Sequence, residues 1–80
     1  MSKEISNWNN EDVTSWLKEL GLSNVIDSFQ NNQITGYDLC YLNELELKEE
    51  LRVTRFHDRS LLLRSIREYT LEQRKLYFKE

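Results

Sequence analysis

After Gly36 the chain contains neither glycine nor proline, and it has no proline anywhere. A helix begun in this half therefore meets no intrinsic breaker. Within it Phe56, Leu62, Leu63, Ile66 and Tyr69 recur at helical spacings, which places them on one face. The spacing predicts a helix over Thr54–Tyr69 that can run on towards Tyr77. Thr54 is expected as the hydroxyl cap, accepting from a backbone N–H of the first turn. Arg55, Arg59, Arg64 and Arg67 fall largely off the apolar face. Such a helix closes a core with one side and leaves a basic start open to a partner.

The first half reads as shorter helices. Asn9 is a good N-cap, and Asp12 three residues on can answer it as a variant capping box. Val13, Trp16, Leu17 and Leu20 then form an i, i+3, i+4, i+7 stripe that ends at Gly21, a natural left-handed stop. The first helix is expected over residues 10–19. A second begins near Asn24, with Val25, Ile26 and Phe29 inward, and dissolves in Gln30-Asn31-Asn32-Gln33. Tyr37–Leu42 is a short helical turn with Leu39 and Leu42 inward. Asn43-x-x-Glu46 repeats the capping box, and Leu45, Leu47 and Leu51 support a fourth helix over about 44–50. No stretch alternates with period two, so the predicted class is all-α with five helices and no internal repeat.

Eighty residues make one small domain. No apolar run approaches the ~20 residues of a membrane span, and MSKEISNW lacks the apolar core of a secretory signal. One cysteine cannot form an intrachain disulfide, which points to a reducing, cytoplasmic setting, with the nucleus as an alternative. The net charge of −3 conceals an asymmetry: residues 1–50 carry three basic and ten acidic side chains, net −7, and residues 51–80 carry eight and four, net +4. A uniformly basic chain would suggest nucleic acid. A two-signed one suggests a partner of mixed sign, a second copy of itself included.

The order of these features resembles the sterile alpha motif (SAM) domain from about Trp8 to Tyr69. The family opens with Trp, a capping residue, acids, Val and Trp-Leu, matched by Trp8, Asn9, Glu11, Asp12, Val13, Trp16 and Leu17. Gly21-Leu22 matches its Gly-Leu after helix one. Phe29, Ile34 and Gly36 match its Phe before an Ile-x-Gly turn, and Leu39, Cys40 and Leu42 match its Leu-Leu-x-Leu. Glu46-Leu47 and then Arg59, Leu62, Leu63 and Ile66 complete the series. Two places depart from the pattern. Arg52 stands where the family often has Gly; a left-handed backbone there would cost an arginine roughly 1 kcal/mol. His57-Asp58-Arg59 replaces the common Gly-His-Arg, setting a negative charge among basic ones.

The resemblance implies a five-helix bundle over 8–70, with an N-terminal arm (1–7) and an extension or tail (71–80). It also implies a non-catalytic module for protein–protein interaction, within a larger signalling or scaffold protein. SAM domains commonly associate head to tail, with another SAM domain or with themselves, a weak homo-oligomer being one outcome. A basic end-helix surface docks on an acidic mid-loop surface. On this sequence the end-helix residues are Arg52, Arg55, His57 and Arg59. The mid-loop residues are Asp38, Glu44 and Glu46, with Asp27 and Glu49 at the margin. The alternative is an RNA hairpin gripped by the same basic group, against which Asp58 and a sequence pI near 5.2 both count.

Other constellations read as structure. One Cys and one His do not supply a closed zinc site, and no cofactor is expected. Cys40 occupies a core leucine position with no basic neighbour to activate it. Ser15, Asp12 and His57 have the residue types of a triad without the spacing of one, and no catalysis is expected. Trp8 is expected to pack the arm against the last helix. The apolar residues of 71–78 are expected to fold back over Trp8, the other reading being a helix extension that pairs two molecules.

Overall fold

The computed structural model describes residues 4–77, with side chains up to Glu72. The described residues contain five α-helices and no strand: α1 Asn10–Glu19, α2 Ile26–Asn31, α3 Gly36–Leu39, α4 Glu44–Glu49 and α5 Phe56–Tyr77. Short 3₁₀ turns precede α1 (Ile5–Asn7) and α2 (Ser23–Val25). The fold class and the bounds of α1 are those predicted from the sequence.

Three helices open on reciprocal capping boxes: Asn9 with Asp12, Thr35 with Asp38, and Asn43 with Glu46. Each pair satisfies two backbone donors that the first turn leaves free, a cap of this kind contributing about 1 kcal/mol. The closing turns use left-handed residues. At Gly21 (φ +78°) the N–H of Leu22 bonds the Leu17 carbonyl at 2.9 Å and that of Gly21 bonds Lys18 at 3.1 Å, the two bonds of a Schellman motif. The same pair recurs at Gln33 (φ +51°), from Ile34 to Phe29 and from Gln33 to Gln30. The polar run 30–33 is thus an ordered helix end rather than a frayed one. Arg52 (φ +58°) is left-handed too, and Val53 reaches back across it to the Leu47 carbonyl at 2.8 Å.

The core runs through every element. Val13, Leu17, Phe29, Leu39, Leu47, Val53 and Leu62 are fully enclosed, and Ile5 and Trp8 are buried with them. Ile5 makes the N-terminal arm part of the core from its fifth residue. Trp8 meets Tyr69 edge-on at 5.1 Å and Trp16 at 5.8 Å, tying the arm to α5 as expected. Gly36 lets the arm approach α3: its N–H bonds the Trp8 carbonyl at 2.9 Å, and a Cβ there would stand 1.6 Å from the Ile5 carbonyl oxygen.

Several expectations are corrected. α5 begins at Phe56, so Thr54 is not its cap. Phe56 is not in the core but 66% exposed. Taking Leu62 as the stripe centre, Phe56 lies about 120° away at 100° per residue, whereas Asp58 and Arg59 lie about 40° and 60° away. Those two polar side chains, both buried, occupy the inward positions of the first turn. Leu45 is exposed because it sits about 160° round the helix from Leu47, which is enclosed. The backbone of residues 71–77 continues α5 as one helix instead of folding back; the expectation for 78–80 lies outside the described residues. At 22 residues α5 is about 33 Å long.

Candidate protein-binding surfaces

The loop Leu51–Arg55 and the start of α5 form a tip whose charges divide into those facing in and those facing out. Arg59 faces in. Its Nη1 donates to the carbonyls of Val53 at 2.9 Å and Thr54 at 3.0 Å, and its Nε to Glu44 Oε2 at 3.2 Å. Only 8% exposed, it fixes the path of the loop and the distance from α5 to the start of α4. Asp58 also faces in, accepting from Asn24 Nδ2 at 3.2 Å and lying 4.0 Å from Arg55 Nε. Arg52, Arg55, Phe56 and His57 face out together. The tip therefore joins exposed basic groups to a large exposed ring, 5.8 Å from the Arg59 guanidinium beneath it.

The acidic residues are dispersed by the fold. Glu44 points to Arg59, half-exposed, and is paired within the chain. Asp27 and Glu49 are exposed and stand apart from the concave surface. Asp38 and Glu46 are brought together. They border a cleft of about 550 Å³ between the end of α2, α3 and α4, with Glu50 as a third acid. Their capping duties fix them in place: Asp38 Oδ2 accepts from the Thr35 N–H at 2.9 Å, and Glu46 Oε1 from that of Asn43 at 3.3 Å. Because these carboxylates are exposed, they remain open to a partner cation as well.

The cleft walls mix the apolar side chains of Ile34, Leu42 and Leu51 and the rings of Tyr37 and Tyr41 with the polar groups of Asn32 and the three acids. The two rings stand 5.1 Å apart and are 60% and 69% exposed. Hydrogen bonding between the hydroxyls pushes the Tyr41 phenol above its ordinary range. Cys40, between the two tyrosines in sequence, is half-buried, and that burial raises its thiol pKa, which disfavours the reactive thiolate.

Sequence reasoning named Arg52, Arg55 and His57, which the structure exposes together, Arg59, which it turns inward, and two of the three acids that border the cleft. It missed Phe56 as a surface residue, Glu50 and the tyrosine pair. The signal for the pair was available, since Tyr37 and Tyr41 are four apart on one helical turn; the acids were read there and the aromatics were not. Among the described residues no group of three His, Cys, Asp or Glu side chains could hold a metal ion. Nor is any described helix long and apolar enough to cross a membrane.

A model of the sterile alpha motif domain matches residues 5–69. Protein pob1 of Schizosaccharomyces pombe is 39% identical over 66 residues, covering 82% of this chain and 8% of that protein. The WD repeat, SAM and U-box domain-containing protein 1 of Danio rerio is 36% identical over 64 residues, covering 80% and 13%. The NAD(+) hydrolase sarm1 of Drosophila melanogaster is 32% identical over 53 residues, covering 66% and 4%. The chain thus spans a small part of the length of each of these relatives.

Proposed function

The chain belongs to the sterile alpha motif family, a family of general protein-interaction modules, and from that premise we propose that it docks another SAM domain through the exposed basic tip of α5. The observation that carries this reading is the sorting of charge at the tip. Arg59 and Asp58 are turned inward and bonded within the chain, while Arg52, Arg55 and His57 are presented outward on the framework those two hold. The acidic cleft between α3 and α4 is the matching surface, with Asp38 and Glu46 at its border. Opposite fields of this kind steer and orient an encounter more than they tighten it, so the association is modest in affinity. On this reading the domain supplies a contact within a larger signalling or scaffold protein, and the chemistry belongs to other parts. The tip is a poorer seat for a hairpin RNA, because with Arg59 turned inward only a few basic groups remain for phosphates.

The test is a double charge reversal, Arg52→Glu with Arg55→Glu. Both side chains are exposed and Arg55 has only a 4.0 Å contact with Asp58 to lose, so the thermal melting curve should shift only slightly. Association, followed by sedimentation over a concentration series and by titration against other SAM domains, should weaken strongly. Unchanged association with a folded double variant would sink the proposal.

A further inference from the structure

Further along α5 lies a second hollow that the docking reading does not use. It has a volume of about 240 Å³ and, among the described residues, is lined by Trp8, Trp16, Glu19 and Tyr69. Tyr69 stands about 20 Å along the helix from Phe56, so the hollow is separate from the tip. It shares no lining residue with the cleft between α3 and α4. Trp8 meets Trp16 at an angle of 57° and Tyr69 at 68°, so neither contact is a face-to-face stack. Trp8 and Trp16 are buried and form the floor, while half-buried Tyr69 and exposed Glu19 form the side and mouth. The charge here has one sign. Glu19, three residues after Trp16, shares its side of α1, whereas Lys18 lies about 160° round the helix from Trp16. Glu72, three residues after Tyr69, is exposed on the same side of α5. The hollow also stands at the carboxyl end of α1, the negative end of the helix dipole. The aromatic faces add the negative side of their quadrupoles. Such a field disfavours an anion and favours a cation.

We propose that this hollow binds a methylated ammonium group, the head of a methylated lysine side chain on a partner protein. The site lies outside the docking surfaces and does not rest on the docking reading. A cation within about 6 Å of a ring centroid is attracted by the ring's quadrupole, most strongly by that of tryptophan. A bare lysine ammonium is compact and strongly hydrated, and the exposed Glu19 would offset little of the hydration it loses. Methylation spreads the same charge over a larger, weakly hydrated surface whose methyl groups meet the rings. It thus turns a poor ligand into a fitting one. Size agrees with this, because the hollow falls below the roughly 300–1,000 Å³ of sites that enclose a whole small molecule. It takes a head group whose stem leads out. The uncharged methylene stem of lysine passes Glu19 without repulsion. The phosphate of a choline lipid, close to its ammonium, would instead come up against Glu19 and Glu72.

The test is a titration followed by the indole N–H signals of Trp8 and Trp16 in NMR spectra. Three short acetylated peptides of alanine and glycine serve as probes, each with one variable side chain. That side chain is trimethyllysine, plain lysine or the uncharged tert-butyl isostere of trimethyllysine. The trimethyllysine peptide should shift both indole signals and saturate by the millimolar range. Plain lysine and the isostere should bind about tenfold more weakly, the size of a desolvated cation–π contribution. Glu19→Lys sets a fixed cation at the mouth and should abolish binding; the position is exposed, and melting followed by circular dichroism verifies the fold. Arg52→Glu with Arg55→Glu should leave this binding unchanged, which separates the site from the docking tip. Equal binding of the isostere would show that the hollow reads shape rather than charge, and would overturn the proposal. So would the absence of any indole shift with the trimethyllysine peptide at millimolar concentration. Shifts with tetramethylammonium chloride or phosphatidylcholine vesicles, but not with that peptide, would overturn the lysine side chain as the occupant.

Discussion

Arg59 shows how one side chain can be indispensable to a binding surface without belonging to it. Its three hydrogen bonds join the Val53–Thr54 loop, the first turn of α5 and the start of α4. Removing it leaves the Val53 carbonyl, in a buried bond, without its charged donor. Hydrogen bonds to charged groups contribute about 1.5–3 kcal/mol. The contact with Glu44 adds little, because that carboxylate is half in water. Arg59→Ala is therefore expected to cost about 2–3 kcal/mol, read as a lower urea midpoint at unchanged slope. Arg59→Lys should recover only part of that loss, since an ammonium lacks the planar fork that reaches two carbonyls and a carboxylate together. Full recovery by lysine would mean that charge alone holds the loop. Arg52, by contrast, stands in the left-handed region at φ +58°, a conformation that disfavours any residue with a Cβ. The departure from glycine noted in the sequence thus falls where the backbone does demand that conformation.

At the scale of elements, the helices were legible wherever apolar spacing and a cap agreed. Asn9 with Asp12 and the stripe Val13, Trp16, Leu17 locate α1 to the residue. The signal failed where polar side chains face inward. Asp58 and Arg59 fill the inward positions of α5's first turn, so a count of apolar residues assigned Phe56 to the core and moved the helix start to Thr54. Hydropathy cannot show that an arginine is buried when its partners are the carbonyls of a loop six and five residues earlier. The cleft was hidden for a related reason: it is made by three elements, and no single stretch contains it. The join between the arm and α3 was legible only as a glycine in a motif; its meaning is steric. Gly36→Ala would place a methyl group 2.8 Å from Trp8 Cβ and closer still to the Ile5 carbonyl, so the arm must move. The expected loss is about 1–3 kcal/mol or more, with a lower melting temperature and altered tryptophan fluorescence from Trp8. Gly21→Ala is the comparison, since nothing lies within 4 Å of its Cβ; it should lose only about 1 kcal/mol from its left-handed backbone. Equal losses at the two positions would show that the close approach at Gly36 is not what holds the arm.

For the whole molecule, what matters is that charge and apolar surface are sorted in parallel. The first half supplies the carboxylates at the cleft, Asp38, Glu46 and Glu50, and the segment that begins at Arg52 supplies the exposed basic tip. The structure also pairs one charge of each sign within the chain, the buried Arg59 with the half-exposed Glu44. If association uses both fields and the exposed ring of Phe56 as an apolar anchor, salt should weaken it without abolishing it. Between about 0.1 M and 1 M salt the Debye length falls from about 10 Å to about 3 Å, which screens the approach of tip to cleft while leaving buried apolar contact in place. Association should therefore slow markedly with added salt, the dissociation rate changing much less, as measured by surface plasmon resonance over that range. Phe56→Ala should show the converse: faster dissociation, with the salt dependence of the association rate retained. A rate of association indifferent to salt would remove the electrostatic half of this account. A dissociation rate indifferent to Phe56 would remove the apolar half.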